Sequence, residues 1–532
     1  MYAQESRDPE GGPAAQLTMH KFLIPIAVGG LIVLAACQSS GPHSYYVDSA
    51  GGDDTRSGLS ESAAWKSLDK VNGTVFKPGE KILFKAGTAY QGQLHPQGSG
   101  TGPGPIVIDR YGQGEKPLIA AEGKFHEALL LKNQEYWEVN NLQLTNTGAT
   151  AEKVRYGVRV MSWDYGTVHH IHLKNLDVHD VNGSNVKADD GEGDGVLWQN
   201  GGDKVKSRFD GLLIEGCHLV RTDRNGICGY VPYSKDPDKW FPSLNVVIRK
   251  NLLEDIGGDA IKVEGSDHAL VEHNVVRGAR RRCDDYAAGI WPWASDNTVI
   301  QFNEVSGLKG TKDGEAFDSD GYCTNTTIQY NYSHDNDGGF LLICCTDSIK
   351  TTVRYNISRN DHTRLFHMGG PIRDIAIYNN LFYIGKGIDL DLFLWEGGRE
   401  PWADNATVSN NIFYADGTGR NSAAVKRQRV DDGTFIKQPG VGRATKIVFQ
   451  NNDFYGNFKD VPAAWMALHF DPLLKQPGSG AGGFDSLGGY QLQDGSKAFG
   501  AGVPIPASGG RDFWGNKVPE GKSPAIGAYE KP

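Results

Sequence analysis

One phrase recurs through this chain, in which alternating apolar residues lead into asparagine and then into a polar turn, and it narrows the possible folds more than any other feature. It reads "WEVNNLQLTN", "IHLKNLDVHD", "VVIRKNLLED", "ALVEHNVVRG", "TVIQFNEVSG", "TTIQYNYSHD", "TTVRYNISRN", "IAIYNNLFYI", "ATVSNNIFYA" and "IVFQNNDFYG". With Asn251, Asn274, Asn303, Asn331, Asn356 and Asn380 as markers, the gaps are 23, 29, 28, 25 and 24 residues. A period of that size marks a solenoid. Short alternating strands at this spacing suit the coils of an all-β, parallel β-helix better than helical repeats. The asparagines are expected to stack as a ladder inside one turn, each amide bonding its neighbours.

Length does not count domains in a repeat fold, so 532 residues are compatible with one long unit. Glycine supplies 69 positions while 39% of the chain is hydrophobic, which fits frequent turns around a packed interior. The net charge of −10 lacks the basic footprint that nucleic-acid binding needs, so no nucleic-acid partner is expected.

Each coil carries a second strand after its glycine-bearing turn. These strands align as "GDGVLWQN", "RNGICGYV", "GDAIKVEG", "AAGIWPWA", "GEAFDSDG", "GGFLLICC", "TRLFHMGG" and "DLDLFLWE". Successive side chains on a strand face opposite ways. With Val196, Ile227, Ile261, Ile290, Phe317, Leu341, Phe366 and Leu392 inward, the residues one and three places later face out. That outward set includes Lys262/Glu264, Trp291/Trp293, Asp318/Asp320, His367/Gly369 and Phe393/Trp395.

Such a column reads as a carbohydrate cleft. Aromatic rings offer flat apolar faces to sugar C–H groups, and carboxylates grip hydroxyls or act on the glycosidic bond. The stretch "DGEAFDSDGY" concentrates Asp313, Glu315, Asp318 and Asp320, although strands are normally poor in Asp. Asp318 and Asp320 are about 6.6 Å apart along the strand, and Glu264 lies two coils away, about 9.6 Å. Inverting glycosidases hold their carboxyls about 6.5–9.5 Å apart, and crowded like charges raise one pKa as a general acid requires. The acid and base are therefore expected among Asp318, Asp320 and Glu264. Lys262, Trp291, Trp293, Asp285, Glu315, Arg364, His367, Trp395 and Glu396 are the expected substrate-binding residues.

Three other readings compete. Asp318 and Asp320 could bind calcium, although the stretch lacks the longer series of oxygen ligands of an EF-hand loop, and no other cofactor is expected. A calcium-assisted polysaccharide lyase would use Lys262, Arg364 or His367 to abstract a proton beside a uronic carboxylate. The basic turn "RGARRRCDDY" speaks partly for that substrate, and otherwise reads as a solvated turn. A non-catalytic carbohydrate-binding β-helix would keep the Trp stripe and need no paired acids.

The segment "YYVDSAGGDDTRSGLSESAAWKSLDKVNGTVFKPGEKILFKAGTAYQGQL" resembles the N-terminal cap of bacterial right-handed parallel β-helix polysaccharidases of the pectate-lyase-like superfamily, and "DFWGNKVPEGKSPAIGAYE" is similar to their closing segment. The coils around "GEAFDSDGYCTNTTIQYNYSHDNDGGFLLIC" look most like glycoside hydrolases related to family 141. The resemblance implies one β-helix catalytic domain over 45–532, with a cap over about 45–120 and a closing segment over about 485–532. It implies a hydrolase of polysaccharide or oligosaccharide, for which the carboxyl spacing favours inversion, and a monomer is expected.

Upstream, "MHKFLIPIAVGGLIVLAACQSS" has a basic start, an apolar run of signal-peptide length and small residues before a cysteine. It resembles a bacterial lipoprotein signal over 19–36, with acylation at Cys37, a linker over 37–44 and residues 1–18 as an upstream mis-start. Gln38 fits sorting to the outer membrane, so the enzyme is expected at the cell envelope, held by lipid and facing periplasm or cell surface. The other six cysteines show no zinc spacing and are expected to be structural. His169, His170, His172 and His179 are expected on an exposed strand without a carboxylate at metal spacing. Asp189, Asp190, Glu192 and Asp194 sit in a turn that could rim the cleft.

Overall fold

Alternation with period two, repeated every coil, builds three ribbons of parallel strands in which each strand pairs with the one a coil further on. The computed structural model describes residues 41–532 apart from 188–192, 234, 397–403, 422–428, 432–433, 437–442 and 462–465. The expected leader, Cys37 and the acids Asp189, Asp190 and Glu192 lie outside the described residues.

One ribbon starts at Ser44–Val47 paired with Lys81–Lys85 and continues through Thr167–Lys174 to Asp404–Ser409 and Arg443–Gln450. A second runs from Ala89–Gln91 to Asp453–Lys459. The third runs from Glu127–Lys132 to Asp389–Glu396 and carries the acid-rich strand Glu315–Ser319. The second and third join into a sheet of 23 strands, and the first lies in a sheet of 18. This is the right-handed parallel β-helix that the repeat and the resemblance imply. Its interior is a column of stacked side chains. Ile214, Ile248, Val271, Ile300, Ile328 and Val353 occupy one position on successive coils, all with no exposed surface.

The expected asparagine ladder is present and longer than its six markers. The backbone N–H and side-chain amide of Asn251 both donate to Oδ1 of Asn274, at 3.0 and 2.9 Å. The pattern repeats through Asn303, Asn331, Asn356, Asn380 and Asn411 to Asn452. The residue before each ladder Asn is left-handed, at φ of 50–56°, including the bulky Phe302, Tyr330 and Tyr355. That conformation costs about 1–2 kcal/mol per non-glycine residue. The buried bonds of each rung, about 1 kcal/mol net apiece, offset it. The strained residues also stack: Phe302 lies 5.1 Å from both His273 and Tyr330.

Near the amino end, helix Leu68–Asn72 is capped by the Ser67 hydroxyl, which accepts from the Lys70 N–H, and it buries Leu68 and Val71. At the other end Leu468 pairs with Asp453, and the segment beyond returns along the second ribbon. There Leu487, Tyr490, Ile526 and Tyr529 cover Tyr332, Tyr355, Ile357, Tyr383 and Ile412. Pro42–Pro532 pack as one unit.

Asn331 is a central rung. Its side chain accepts from the Asn303 backbone and donates to the Ile300 carbonyl, both at 2.9 Å. Asn331→Ala orphans both buried groups and should lower stability by about 2–4 kcal/mol in chemical denaturation, against about 0.5 kcal/mol or less for an exposed strand position.

Candidate active site

Strand register sets the outward wall. Cys228 pairs with Lys262 and Lys262 with Trp291. Phe317 pairs with Ile290, which puts Asp318 beside Trp291, and the column continues through Leu342 and His367. The expected register fails at the last coil, where Phe366 pairs with Phe393 rather than Leu392. Leu394, not Phe393, therefore follows His367. The backbone of Trp395 pairs with Met368, one residue out of the expected column, and that of Glu396 with Gly369. The side chains of both lie outside the described residues.

A second wall was missed. Tyr156, Asp194 and Asn225 align two positions before the inward residue, as do Asp259 and Glu315 in the sequence alignment. In a straight strand this position faces the interior, yet Tyr156 packs with Leu197 and Cys228, which belong to the outward column. The strand turns at the small residue between them, Gly157, Gly195, Gly226, Ala260, Gly289 or Ala316. A Cβ on Gly289 would lie 2.2 Å from the Ala316 carbonyl oxygen. The two walls enclose a concave groove. Its signal was legible as the acid or amide in second place of "GDGVLWQN", "RNGICGYV", "GDAIKVEG" and "GEAFDSDG".

Asp313 enters the groove from a left-handed turn (φ 60°), and Gly314 follows where a Cβ would meet the Gly310 carbonyl at 2.2 Å. Asp320 leaves at the other end of the strand, with Oδ1 accepting from the Gly321 N–H at 2.6 Å. Both are half-buried, whereas Asp318 and Glu315 are buried. Glu315 is compensated by Arg364, at 2.7 and 2.6 Å, and by His367 Nδ1 at 3.2 Å. Asp318 has no cation, and its Oδ1 has no hydrogen-bond partner among the described residues. Burial, then repulsion from Asp320, Asp313 and Glu315, raises its pKa well above the ordinary carboxylate value. Asp313 is pushed up to about 7 by burial and then by Glu315 and Asp320. Asp320 is pushed up to about 6 by burial, against the Gly321 N–H and the Lys187 and Lys262 charges.

Among the expected residues, Glu264 is buried and ion-paired with Lys262 at 2.9 Å while accepting from the Val231 N–H. Trp291 is also buried. Its Nε1–H donates to Asp259 at 2.9 Å, with Lys187 and Lys262 over its ring, so it packs under the loop near Lys187 instead of presenting a sugar-binding face. Trp293 is half-exposed, edge-on to Tyr322. Asp285 pairs with Arg224 at 2.5 Å and accepts from the Lys187 N–H. The basic turn is more ordered than a solvated one: Arg280 is buried and donates to the carbonyls of Lys309, Lys312 and Asp285. Asp194 is buried and accepts from Asn225.

One expectation needs correction beyond the groove. A carboxylate does accompany the histidines: Glu138, one coil back, reaches His170 Nε2 at 3.0 Å and gathers with His172. It was invisible along the sequence because the pairing is between coils. Adjacent Cys344 and Cys345 form a disulfide, while Cys217, Cys228, Cys283 and Cys323 are buried and lie outside any disulfide among the described residues. A cavity of about 550 Å³ on the second ribbon, lined by Arg277, Glu304 and His334, holds an already matched pair. Burial opposes it, but Asp335 and Glu304 hold His334 charged, at about 9.

The uncompensated Asp318 generates a stability prediction. Its folded pKa lies above its unfolded one, so stability is fully present below about pH 4 and is lost as pH rises toward the folded value. Asp318→Asn removes that loss. The gain in melting temperature over the parent should be small near pH 4 and widen toward pH 8.

Comparison with known proteins agrees with this fold. A family model described as "Right handed beta helix region" matches residues 127–382. Lacto-N-biosidase of Bifidobacterium longum subsp. longum is 30% identical over 93% of this chain, which spans 37% of that protein's length. Two crystal structures of the GH136 lacto-N-biosidase from Eubacterium ramulus are also 30% identical. The native form gives a TM-score of 0.60 over 66% of this chain and 65% of that one. The selenomethionine form gives 0.59 over 66% and 67%. The complex of XylC with xylose, at 12% identity and a TM-score of 0.54, shares the fold over 92% of this chain and 98% of that one. The two Eubacterium ramulus structures carry the family number 136, where the acid-rich coils resemble family 141. The chain belongs to the right-handed parallel β-helix family of the GH136 lacto-N-biosidases.

Proposed function

We propose that this chain is a glycoside hydrolase, with Asp313 as proton donor and Asp320 as the ionised carboxylate. The observation that carries the assignment is the pair of half-buried acids at the two ends of one strand, with pKa values of about 7 and about 6. Two carboxyls whose environments hold one protonated and the other charged near neutrality are what glycosidic cleavage requires. Asp318, buried on the same strand, is itself held well above the ordinary carboxylate value. With Asp318 outside the reacting pair, the strand-spacing argument for inversion no longer applies, and the anomer of the first product becomes a separate question.

The substrate reading is an oligosaccharide, with a lacto-N-biosidase-type activity first to be tested, because both relatives at 30% identity carry that name. Proton abstraction by a lyase is disfavoured by the partners of its bases: Lys262 is paired with Glu264, and Arg364 and His367 with Glu315. A non-catalytic binding role would leave the raised acids without purpose. The reading needs no metal. Among the described residues, the groups of His, Cys and acid ligand atoms within 4.8 Å include Asp313, Glu315 and His367, and none joins Asp318 to Asp320. Acylation at Cys37, anchoring at the outer membrane and action as a monomer complete the proposal on sequence grounds alone.

Asp313→Asn and Asp320→Asn should each lower kcat on an aryl lacto-N-bioside by about a hundred- to ten-thousand-fold without loss of fold. Retained turnover in either would reject the pair. Activity should require Asp320 ionised and Asp313 protonated, so the parent's kcat/KM should follow a narrow bell with limbs near about 6 and about 7. Asp313→Asn should abolish the alkaline limb in whatever activity remains.

A further inference from the structure

The Cys344–Cys345 disulfide lies where neither the family likeness nor the acid pair gives it a task. It follows directly on the strand Gly339–Ile343, whose Ile343 pairs with Ser319, so Cys344 occupies the rung next to Asp320. Cys344 Sγ is 3.3 Å from Asp320 Oδ1. On the other side of Asp320 the same rung belongs to Trp293, and Gly321 is squeezed between them. A Cβ there would lie 2.9 Å from the Trp293 ring and 3.3 Å from the Cys345 Cβ. Gly370 closes the far side, where a Cβ would lie 2.9 Å from the Cys345 carbonyl oxygen. Cys344 is half-buried and Cys345 exposed, so the sulfurs border the groove instead of its core.

A cross-link between neighbouring residues closes almost no loop, so it adds little through chain entropy. What it does change is surface chemistry. Two free thiols would present weak donors beside a carboxylate, whereas the disulfide is donor-free, polarizable and apolar. Placed one rung from the ionised acid and opposite the half-exposed Trp293, it makes a hard apolar patch of the kind that covers the C–H face of a sugar ring.

We propose that the Cys344–Cys345 disulfide is a substrate-contact surface, the apolar floor of the sugar subsite beside Asp320, on which the C–H face of a pyranose ring packs. The inference rests on the reading of Asp320 as a working carboxylate of a glycoside hydrolase. It extends that reading by assigning a binding role to two residues that sequence analysis left as structural.

The test compares the parent with Cys344→Ala/Cys345→Ala by calorimetric binding of free lacto-N-biose and by steady-state kinetics on the aryl lacto-N-bioside. Peptide mass analysis without reductant first verifies the bond in the parent. Loss of the patch should weaken disaccharide binding and raise KM by about tenfold, the equivalent of a few tens of Å² of apolar contact, with kcat changed less than threefold. Melting temperatures should match within a few degrees. Should the double variant unfold, the parent reduced with a phosphine replaces it and should show the same KM increase. Binding and KM within twofold of the parent in a folded variant would overturn the subsite while leaving the hydrolase reading intact. A parent that neither binds nor cleaves would overturn both.

Discussion

Hydrogen bonding from each coil to the next is the constraint on which the molecule depends. A solenoid has no globular centre, so every coil must be satisfied by its neighbours. The ladder from Asn251 to Asn452 does this inside the turn, where backbone groups would otherwise be buried without partners. It also fixes register. The ladder locks each coil at one point, and the pairings of Lys262 with Trp291, Ile290 with Phe317 and Asp318 with Leu342 set the register of the third ribbon.

That fixed register allows a crowded acid site to exist. Asp313, Glu315, Asp318 and Asp320 come from a single coil, and among the described residues only Glu315 has cationic partners at close range. In a less constrained fold such repulsion would splay the strand. Here Phe317 is fully buried, its neighbours on both sides are paired, and the acids must share the groove. The cost of holding them there appears as raised proton affinity, which is the property acid–base chemistry uses. Stability is given up locally and reactivity near neutral pH is obtained.

Much of this was legible in the sequence because the repeat carries it. The Asn period gave the fold and the ladder, and aligning apolar positions placed Lys262, Trp291, Asp318 and His367 on one column as the structure has them. The failures came from two physical sources. Strict alternation assumes a straight strand, but the small residue before each inward position bends it, so Asp259 and Glu315 line the groove; Asp313 enters it from a left-handed turn. Column position also says nothing about cover. Trp291 and Asp318 point outward yet are buried, with Lys187 over the indole, so the less buried acids are Asp313 and Asp320. The Glu138–His170 contact and the Cys344–Cys345 bond illustrate the remainder, since neither inter-coil contact nor oxidation state is written in spacing.

The central claim is that this groove adds water across a glycosidic bond. The most direct measurement is cleavage of a lacto-N-biose-terminated oligosaccharide in oxygen-18 water, with products read by mass spectrometry and NMR. The account predicts a saturated disaccharide carrying the heavy oxygen at its new reducing end. An unlabelled, unsaturated product would contradict it by revealing elimination, and the absence of cleavage across a panel of glycans would contradict it by leaving only binding.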